Sequence, residues 1–425
     1  VADYFWDDAR QRRALEASLL DLFRSWGYSD VITPLFEYAD TIALRSTPEM
    51  QSGMVRFVDR DGSTLALRSD MTISIARLVG TRLHDWPMPQ RFCYSGSVYR
   101  HTEVQAGQQR EFHQAGIELI GSNNPLADAE VLTLTMEALA AAGLRHARLA
   151  VGHLGYFHGL LDALQLPPVL QEQLLAAVDR NSAAGLNAFL NDAPLTNEQR
   201  RTLAELPHLS GDNAPGILAH AGRLCLNDAM SAALANLEEI LDAQARLGAL
   251  ESIYLDLTEI HDLGYYTGVT FEALTPQIGF PIASGGRYDK LVGSFGHSQA
   301  AVGVALNLDR MLLALRQLGM GSDCLMNRRV RLVVSTRKDL ACLAILDAWR
   351  KHRLSIEIDV SERNSDELAQ YATQTGMDYA LEWQGGGFMA FATGRNGQHG
   401  RSSVPAEEAH DWIRTICAEE ASSDS

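Results

Sequence analysis

A chain of 425 residues, 46% hydrophobic and 21% charged, can bury a substantial core and is longer than one domain usually runs, so two or three domains are expected. Fifty-three acids against 36 bases give a formal charge of −17, which argues against a nonspecific nucleic-acid coat while leaving room for a local basic groove. Cys93, Cys225, Cys324, Cys342 and Cys417 show no C-x-x-C pair, and no signal-peptide core or run of eighteen apolar residues occurs, so a cytoplasmic protein with reduced thiols and no membrane span is expected.

From Trp6 to Trp26, Leu15, Leu19, Leu22, Phe23 and Trp26 recur at three- and four-residue spacing and Gly27 follows as a stop, which predicts an amphipathic helix. VITPLFEY, Val31 to Tyr38, reads as a short strand that Pro34 confines to an edge or bulge, a position suited to an interface. VRFVDR and STLALR flank the turn signal Asp61-Gly62 and predict a hairpin; RFCYSGSVYR and GIELIGS predict two more strands, together an antiparallel pattern. Between about Ala127 and Leu250 the chain becomes Ala- and Leu-rich and helical, interrupted only by ARLAVGHL. Strand character returns in SIYLDLTEI, GVTFEALT and AAVGVALNL, ahead of a helix carrying LDRMLLALRQLG, so one sheet is split in sequence by a helical insertion. The stretch GMGSDCLMNRR marks a boundary. Beyond it, RLVVS, a helix from Lys338 to His352, SIEIDVS, a helix from Ser365 to Thr375, YALEW and FMAFAT give a β-α-β-α-β-β order. A helix from Ala406 to Cys417 closes this unit, and the terminal EEASSDS is expected to be disordered.

Polar chemistry concentrates between Arg91 and Gly121, where two strands flank a loop region containing Arg100, Arg110, His113, Gln114 and Glu118. Alternation places Gln114, Gly116 and Glu118 on one face of the second strand. A solvent-facing strand and a ligand site fit that face alike. SGGRYDK, Ser284 to Lys290, lacks P-loop spacing. His101, His113 and His261 fall at no metal-ligand spacing, so no metal is expected.

These stretches resemble the histidyl-tRNA synthetases. The strand-loop-strand from Arg91 is similar to their second class II motif, with Arg100 at its arginine, and EFHQAGIE to their histidine-site strand. VITPLFEY resembles the first, dimer-forming motif, LRSDMTISIAR an LRPEGT-type loop, LGYYTGVTFEA and ASGGRYDKL two histidine-specific blocks, and VGVALNLDRML the third motif. The resemblance implies an α+β fold: a class II aminoacyl-tRNA synthetase-like antiparallel sheet with flanking helices over residues 1–320, a helical insertion at about 155–250, a small α/β domain resembling an anticodon-binding domain at 328–418, and a disordered tail at 419–425. It also implies a pocket for free histidine formed by Asp70, Met71, Thr72, Arg100, Gln114, Glu118, Tyr265 and Tyr266. In that pocket Asp70 and Thr72 would take the ammonium, Gln114 and Arg100 the carboxylate end, and Glu118 with Tyr266 the imidazole, with Tyr265 as a wall. The chemistry fits, since histidine presents a cation, an anion and a hydrogen-bonding ring.

Four synthetase positions depart from the pattern. The block RGLDYY reads HDLGYY here, which puts His261 in place of an arginine; Thr102 replaces a glutamate, Gln108 an arginine, and Asn307 a glycine beside the nucleotide. An imidazole does not replace a permanent bidentate cation at phosphorus, and each lost clamp costs ~10²–10³ in rate. These losses and the LRSDMT loop resemble the ATP phosphoribosyltransferase regulatory subunit family. That resemblance implies no catalytic residue and no cofactor, histidine as effector, a short-form ATP phosphoribosyltransferase catalytic subunit as partner, a homodimer through the core and no tRNA contact. LEWQGGGF in the terminal domain, where synthetases carry a GEDE-type turn, points the same way about tRNA. An active histidyl-tRNA synthetase and another histidine-binding paralogue stay open as alternatives.

Overall fold

The computed structural model describes residues 3–43, 51–101, 109–180, 182–248, 250–260, 265–319, 330–350, 354–393 and 400–423. Contacts divide the chain into two units, residues 1–325 and 326–425.

The first helix forms over Trp6–Ser25 and buries the stripe Leu15, Leu19 and Phe23 completely. Gly27 then turns the chain at φ +85, a conformation that side chains resist. In chain order the strands of this unit are β1 (Ser29–Asp30), β2 (Phe36–Tyr38), β3 (Arg56–Val58), β4 (Thr64–Leu67), β5 (Gln90–Tyr99), β6 (Glu111–Ile120), β7 (Arg148–His153), β8 (Ser210–Gly211), β9 (Ile253–Asp256), β10 (Val269–Leu274), β11 (Ala283–Arg287) and β12 (Ala301–Asn307). The single strand expected over Val31 to Tyr38 is instead β1 and β2 on either side of an irregular stretch, because Pro34 has no N–H to pair. β3 and β4 form the expected hairpin, with Gly62 at φ +89.

The main sheet runs β1-β5-β6-β12-β11-β10-β7-β9-β8, and β2-β4-β3 form a smaller one. From β5 through to β7 every pairing is antiparallel, but β1 pairs β5 and β9 pairs β7 in parallel. The long helical excursion between β7 and β9 supplies the crossover that a parallel pair needs. That excursion contains helices Leu154–Leu164, Pro168–Asp179, Ala183–Asp192, Asn197–Glu205, Ala214–Gly222 and Asp228–Arg246. Ile117, Leu149, Val151, Phe271, Val302 and Val304 turn one sheet face into the helix-covered core. The opposite face carries the polar alternates.

One buried ion pair ties the two sides together. Arg287, at the end of β11, donates from Nε and Nη2 to the two carboxylate oxygens of Asp128, both at 2.9 Å, and from Nη1 to the Ser122 carbonyl and to Asp289. Asp128 lies in the first turn of the helix Pro125–Ala141 and is fully buried.

In the second unit, β13 (Val330–Ser335), β14 (Leu354–Ile358), β15 (Tyr379–Trp383), β16 (Gly387–Ala392) and β17 (Arg401–Pro405) lie in the order β14-β13-β15-β16-β17. β17 extends the expected order by a strand. The helix expected from Lys338 begins later, at Leu343, after a tight turn over Leu340–Cys342 capped by Asp339. Arg337 and Lys338 both have positive φ, which no helix start accommodates. The last helix, Ala409–Ser423, runs through most of the tail expected to be disordered. Ala and Glu extend an existing helix at little cost, and this outweighs the polar composition. Residues 424–425 lie outside the described residues, as does most of the expected boundary at 319–329.

Candidate functional site

The register of β6 against β12 places Gln114 opposite Asn307, Gly116 opposite Ala305 and Glu118 opposite Gly303; β11 adds Ser284 beside Ala305 and Gly286 beside Gly303. One sheet face therefore carries an amide and a carboxyl above a floor of small residues. The floor is necessary: a Cβ at Gly303 would fall inside the Glu118 carboxyl, and one at Gly286 would meet the Tyr266 ring. The helix Thr72–Leu78 and the segments carrying Tyr265, Tyr266 and Tyr288 close over this floor to give a cavity of about 290 Å³, a size suited to a small ligand.

Asp70, Thr72, Arg100, Gln114, Glu118, Tyr265 and Tyr266 all line that cavity. Met71 does not. It is 1% exposed and packs into the core below, with its thioether near Gly96, because one step along a helix start turns a side chain about 100° away from its neighbour. Thr72 is also used differently from the expectation: its hydroxyl donates to Glu118 Oε1 at 2.7 Å. Asp70 Oδ1 accepts the Ile73 N–H at 3.0 Å. Arg100 donates from Nε to the Ser69 carbonyl at 2.9 Å. Gln114 is buried, and its Oε1 has no hydrogen-bond partner. An unused buried acceptor is costly in an empty site and is a place for a ligand N–H.

Glu118 is the deepest group. Tyr288 donates its hydroxyl to Oε2, and burial pushes the carboxyl up to about 8 against the two hydroxyl hydrogen bonds. Burial likewise holds Tyr94, Tyr265 and Tyr288 well above the usual phenol range. Tyr265 packs edge-on to Tyr266 at 5.0 Å and tilted to Tyr288 at 5.7 Å. Sequence reasoning missed Tyr288 and Ser284, which line the cavity. Tyr288 directly follows Arg287 within ASGGRYDKL, so its placement depends on an ion pair with a residue 159 positions away.

The raised Glu118 pKa makes a stability prediction. A carboxyl held above its unfolded value near 4.5 contributes fully to stability below that pH and loses the contribution as pH rises through about 8. The ligand-free protein is therefore expected to lose roughly 2–4 kcal/mol between pH 5 and 9 from this group. Glu118→Gln should flatten that part of the profile in thermal melts, and parallel profiles for the two proteins would refute it.

A second cavity of about 830 Å³ adjoins the first, sharing Arg100, Gln114, Ser284 and Ala305 with it. Asn307 lies on its wall, where its side chain caps the helix Leu308–Gln317 by accepting the Arg310 N–H at 3.1 Å. Arg310 donates to the Pro281 carbonyl and stands over the Phe280 ring. Burial, with Arg100 nearby, lowers its pKa. Thr102, Gln108 and His261 lie outside the described residues. Among the described residues no three His, Cys, Asp or Glu side chains gather as a metal site would require, and no helix is long and apolar enough to cross a membrane.

The family model described as Histidyl-tRNA synthetase matches residues 1–311. The ATP phosphoribosyltransferase regulatory subunit of Moorella thermoacetica is 36% identical over 386 residues, covering 91% of this chain and 97% of that protein. This chain belongs to the ATP phosphoribosyltransferase regulatory subunit family. The Symbiobacterium thermophilum member is 37% identical over 378 residues, 88% of this chain and 92% of that one. A solved ATP phosphoribosyltransferase regulatory subunit/histidyl-tRNA synthetase from Bacillus halodurans matches with a TM-score of 0.77 at 28% identity, over 87% of this chain and 94% of that chain. A Nostoc histidyl-tRNA synthetase matches at 0.79 and 19% identity over 97% of each, a likeness of fold alone. The regulatory subunit family thus shares the class II synthetase-like fold described above, with its antiparallel centre and split sheet.

Proposed function

We propose that this chain is the histidine-sensing, non-catalytic regulatory subunit of ATP phosphoribosyltransferase, acting at the first step of histidine biosynthesis. The observation that carries the histidine part is the cavity of about 290 Å³ lined by Asp70, Arg100, Gln114, Glu118, Tyr265 and Tyr266. Acids at one end serve an ammonium and a ring N–H, and a guanidinium and an amide at the other serve a carboxylate. Calorimetric titration with histidine tests it. Glu118→Gln should weaken binding by about 1–3 kcal/mol, the value of a charge-assisted hydrogen bond, while the fold stays near wild type. Unchanged affinity would mean that histidine binds elsewhere.

The partner is a short-form catalytic subunit, and the place of work is the cytoplasm. tRNA has no part in this reading. We also propose a homodimer through the first unit. Phe36, Tyr38 and Phe57 share one face of the small sheet by register and are all exposed, with the Phe36 and Phe57 rings in contact. A contiguous apolar patch of this kind is a cost in water that a twofold contact relieves on both copies at once. Light scattering should give at least a dimer, and Phe57→Glu should shift it toward monomer. A monodisperse wild-type monomer at micromolar concentration would count against the dimer.

The adjoining second cavity is what an active synthetase needs for a nucleotide, so that rival is tested directly. Protein incubated with histidine, ATP and labelled pyrophosphate should show no robust exchange.

A further inference from the structure

Among the described residues, the groups that face Glu118 are the hydroxyls of Thr72 at the start of its helix, of Tyr288 after β11 and of Tyr94 on β5, together with the carboxyl of Asp70. β12 contributes only the bare backbone of Gly303. No cation is among them. Among the described residues, Arg100 is the guanidinium lining the cavity, anchored by its Nε on the Ser69 carbonyl at the junction with the second cavity, and His101 lines the cavity as well. The walls beside the acid are aromatic, Tyr265, Tyr266 and Tyr288, with Tyr94 buried beneath the floor against Gly116.

We infer that the pocket takes the ligand's ring as a flat cation, an imidazolium with both nitrogens protonated, and that Glu118 as carboxylate is its counter-ion. The inference rests on the histidine reading above and adds the protonation state that the site selects. Three physical arguments converge on it. A carboxylate with only neutral donors around it is costly to keep buried, and a ligand that arrives with the missing positive charge removes the cost. Aromatic faces attract a planar cation more than a neutral ring of the same shape. An N–H donated from a cation to a carboxylate is roughly twice as strong as its neutral counterpart. The proton is already present. Near neutral pH the empty pocket holds Glu118 as the acid, and an entering neutral imidazole takes that proton on its free nitrogen. The carboxyl O–H bond breaks, the ring N–H bond forms, and nothing is exchanged with solvent in this step.

The pocket should therefore discriminate by ring basicity among side chains of equal size. A triazolylalanine has the same shape and an N–H donor, but its ring takes up a proton only at far lower pH. With the full chain, histidine should bind at least ~10-fold more tightly than triazolylalanine at pH 7.5, as expected for loss of a charge-assisted contact. Nuclear magnetic resonance of histidine labelled with ¹⁵N in the ring supplies the direct readout. Free histidine at this pH is mostly neutral, so its average signal carries pyridine-like character, whereas the bound ring should show two protonated nitrogens. In Glu118→Gln, at histidine concentrations high enough to fill the site, the bound ring should revert to one unprotonated nitrogen. Equal affinity for the triazole, a pyridine-like nitrogen in the wild-type complex, or a ring still cationic in Glu118→Gln would each overturn the inference. Absence of any saturable histidine binding would overturn the histidine reading itself, and the titration that precedes the spectra detects it separately.

Discussion

Asp128→Ala is expected to remove about 3–5 kcal/mol of stability from the first unit, the range for breaking a buried ion pair at one end. Asp128 is fully buried and Arg287 is 7% exposed, and their contact is bidentate. Without the carboxylate, Arg287 keeps the Ser122 carbonyl and Asp289 as partners, which do not neutralise it as completely. The damage should spread to the cavity, because Arg287 immediately precedes Tyr288 and its carbonyl accepts the Thr267 N–H next to Tyr266. Urea unfolding should show the lower midpoint, and histidine affinity should fall with it. The paired replacement Asp128→Leu with Arg287→Met removes both charges and should cost less than Asp128→Ala alone. If Asp128→Ala unfolded at the wild-type midpoint, the pair would carry none of the stability assigned to it.

That pair also shows where the sequence could and could not be read. Gln114 and Glu118 were legible because a strand alternates with a period of two, so their shared face follows from spacing alone. The floor beneath them was not, since Gly303 and Gly286 reach the site only through the register of β12 on β6 and of β11 on β12. Met71 failed as a site residue because it sits where the chain passes from a loop into the helix at Thr72, and no periodicity tells which way that residue turns. Tyr288 stood within a block already noticed, yet its contact with Glu118 depends on the chain path after β11. The helix Ser365–Thr375 was readable to the residue and the hairpin at Asp61-Gly62 to within one or two residues, since a turn glycine and helix ends are set by local devices, here in the structure an Asn364–Glu367 capping box. The helical tail is not legible from polarity for the converse reason: propagation of the helix Ala409–Ser423 decides there, not composition.

The largest effect is expected from mixing. Added to a short-form ATP phosphoribosyltransferase catalytic subunit, this chain should confer activity on it, and histidine should then reduce that activity. Histidine need only bind one state of the assembly better than another, and a differential of 1–3 kcal/mol shifts the equilibrium by about 5–150-fold. Because coupling is reciprocal, the catalytic partner should change the histidine affinity of this chain by the same factor, which calorimetry on the isolated chain and on the assembly can compare. Glu118→Gln should move the inhibition curve to higher histidine concentration in step with its own loss of affinity. Synthetase chemistry should stay absent throughout. His261→Arg alone should not restore pyrophosphate exchange, since Thr102, Gln108 and Asn307 remain, and clamps on a transferring phosphoryl group each contribute ~10²–10³ in rate. A catalytic partner indifferent to this chain with and without histidine, or vigorous exchange from the single arginine, would sink the regulatory reading.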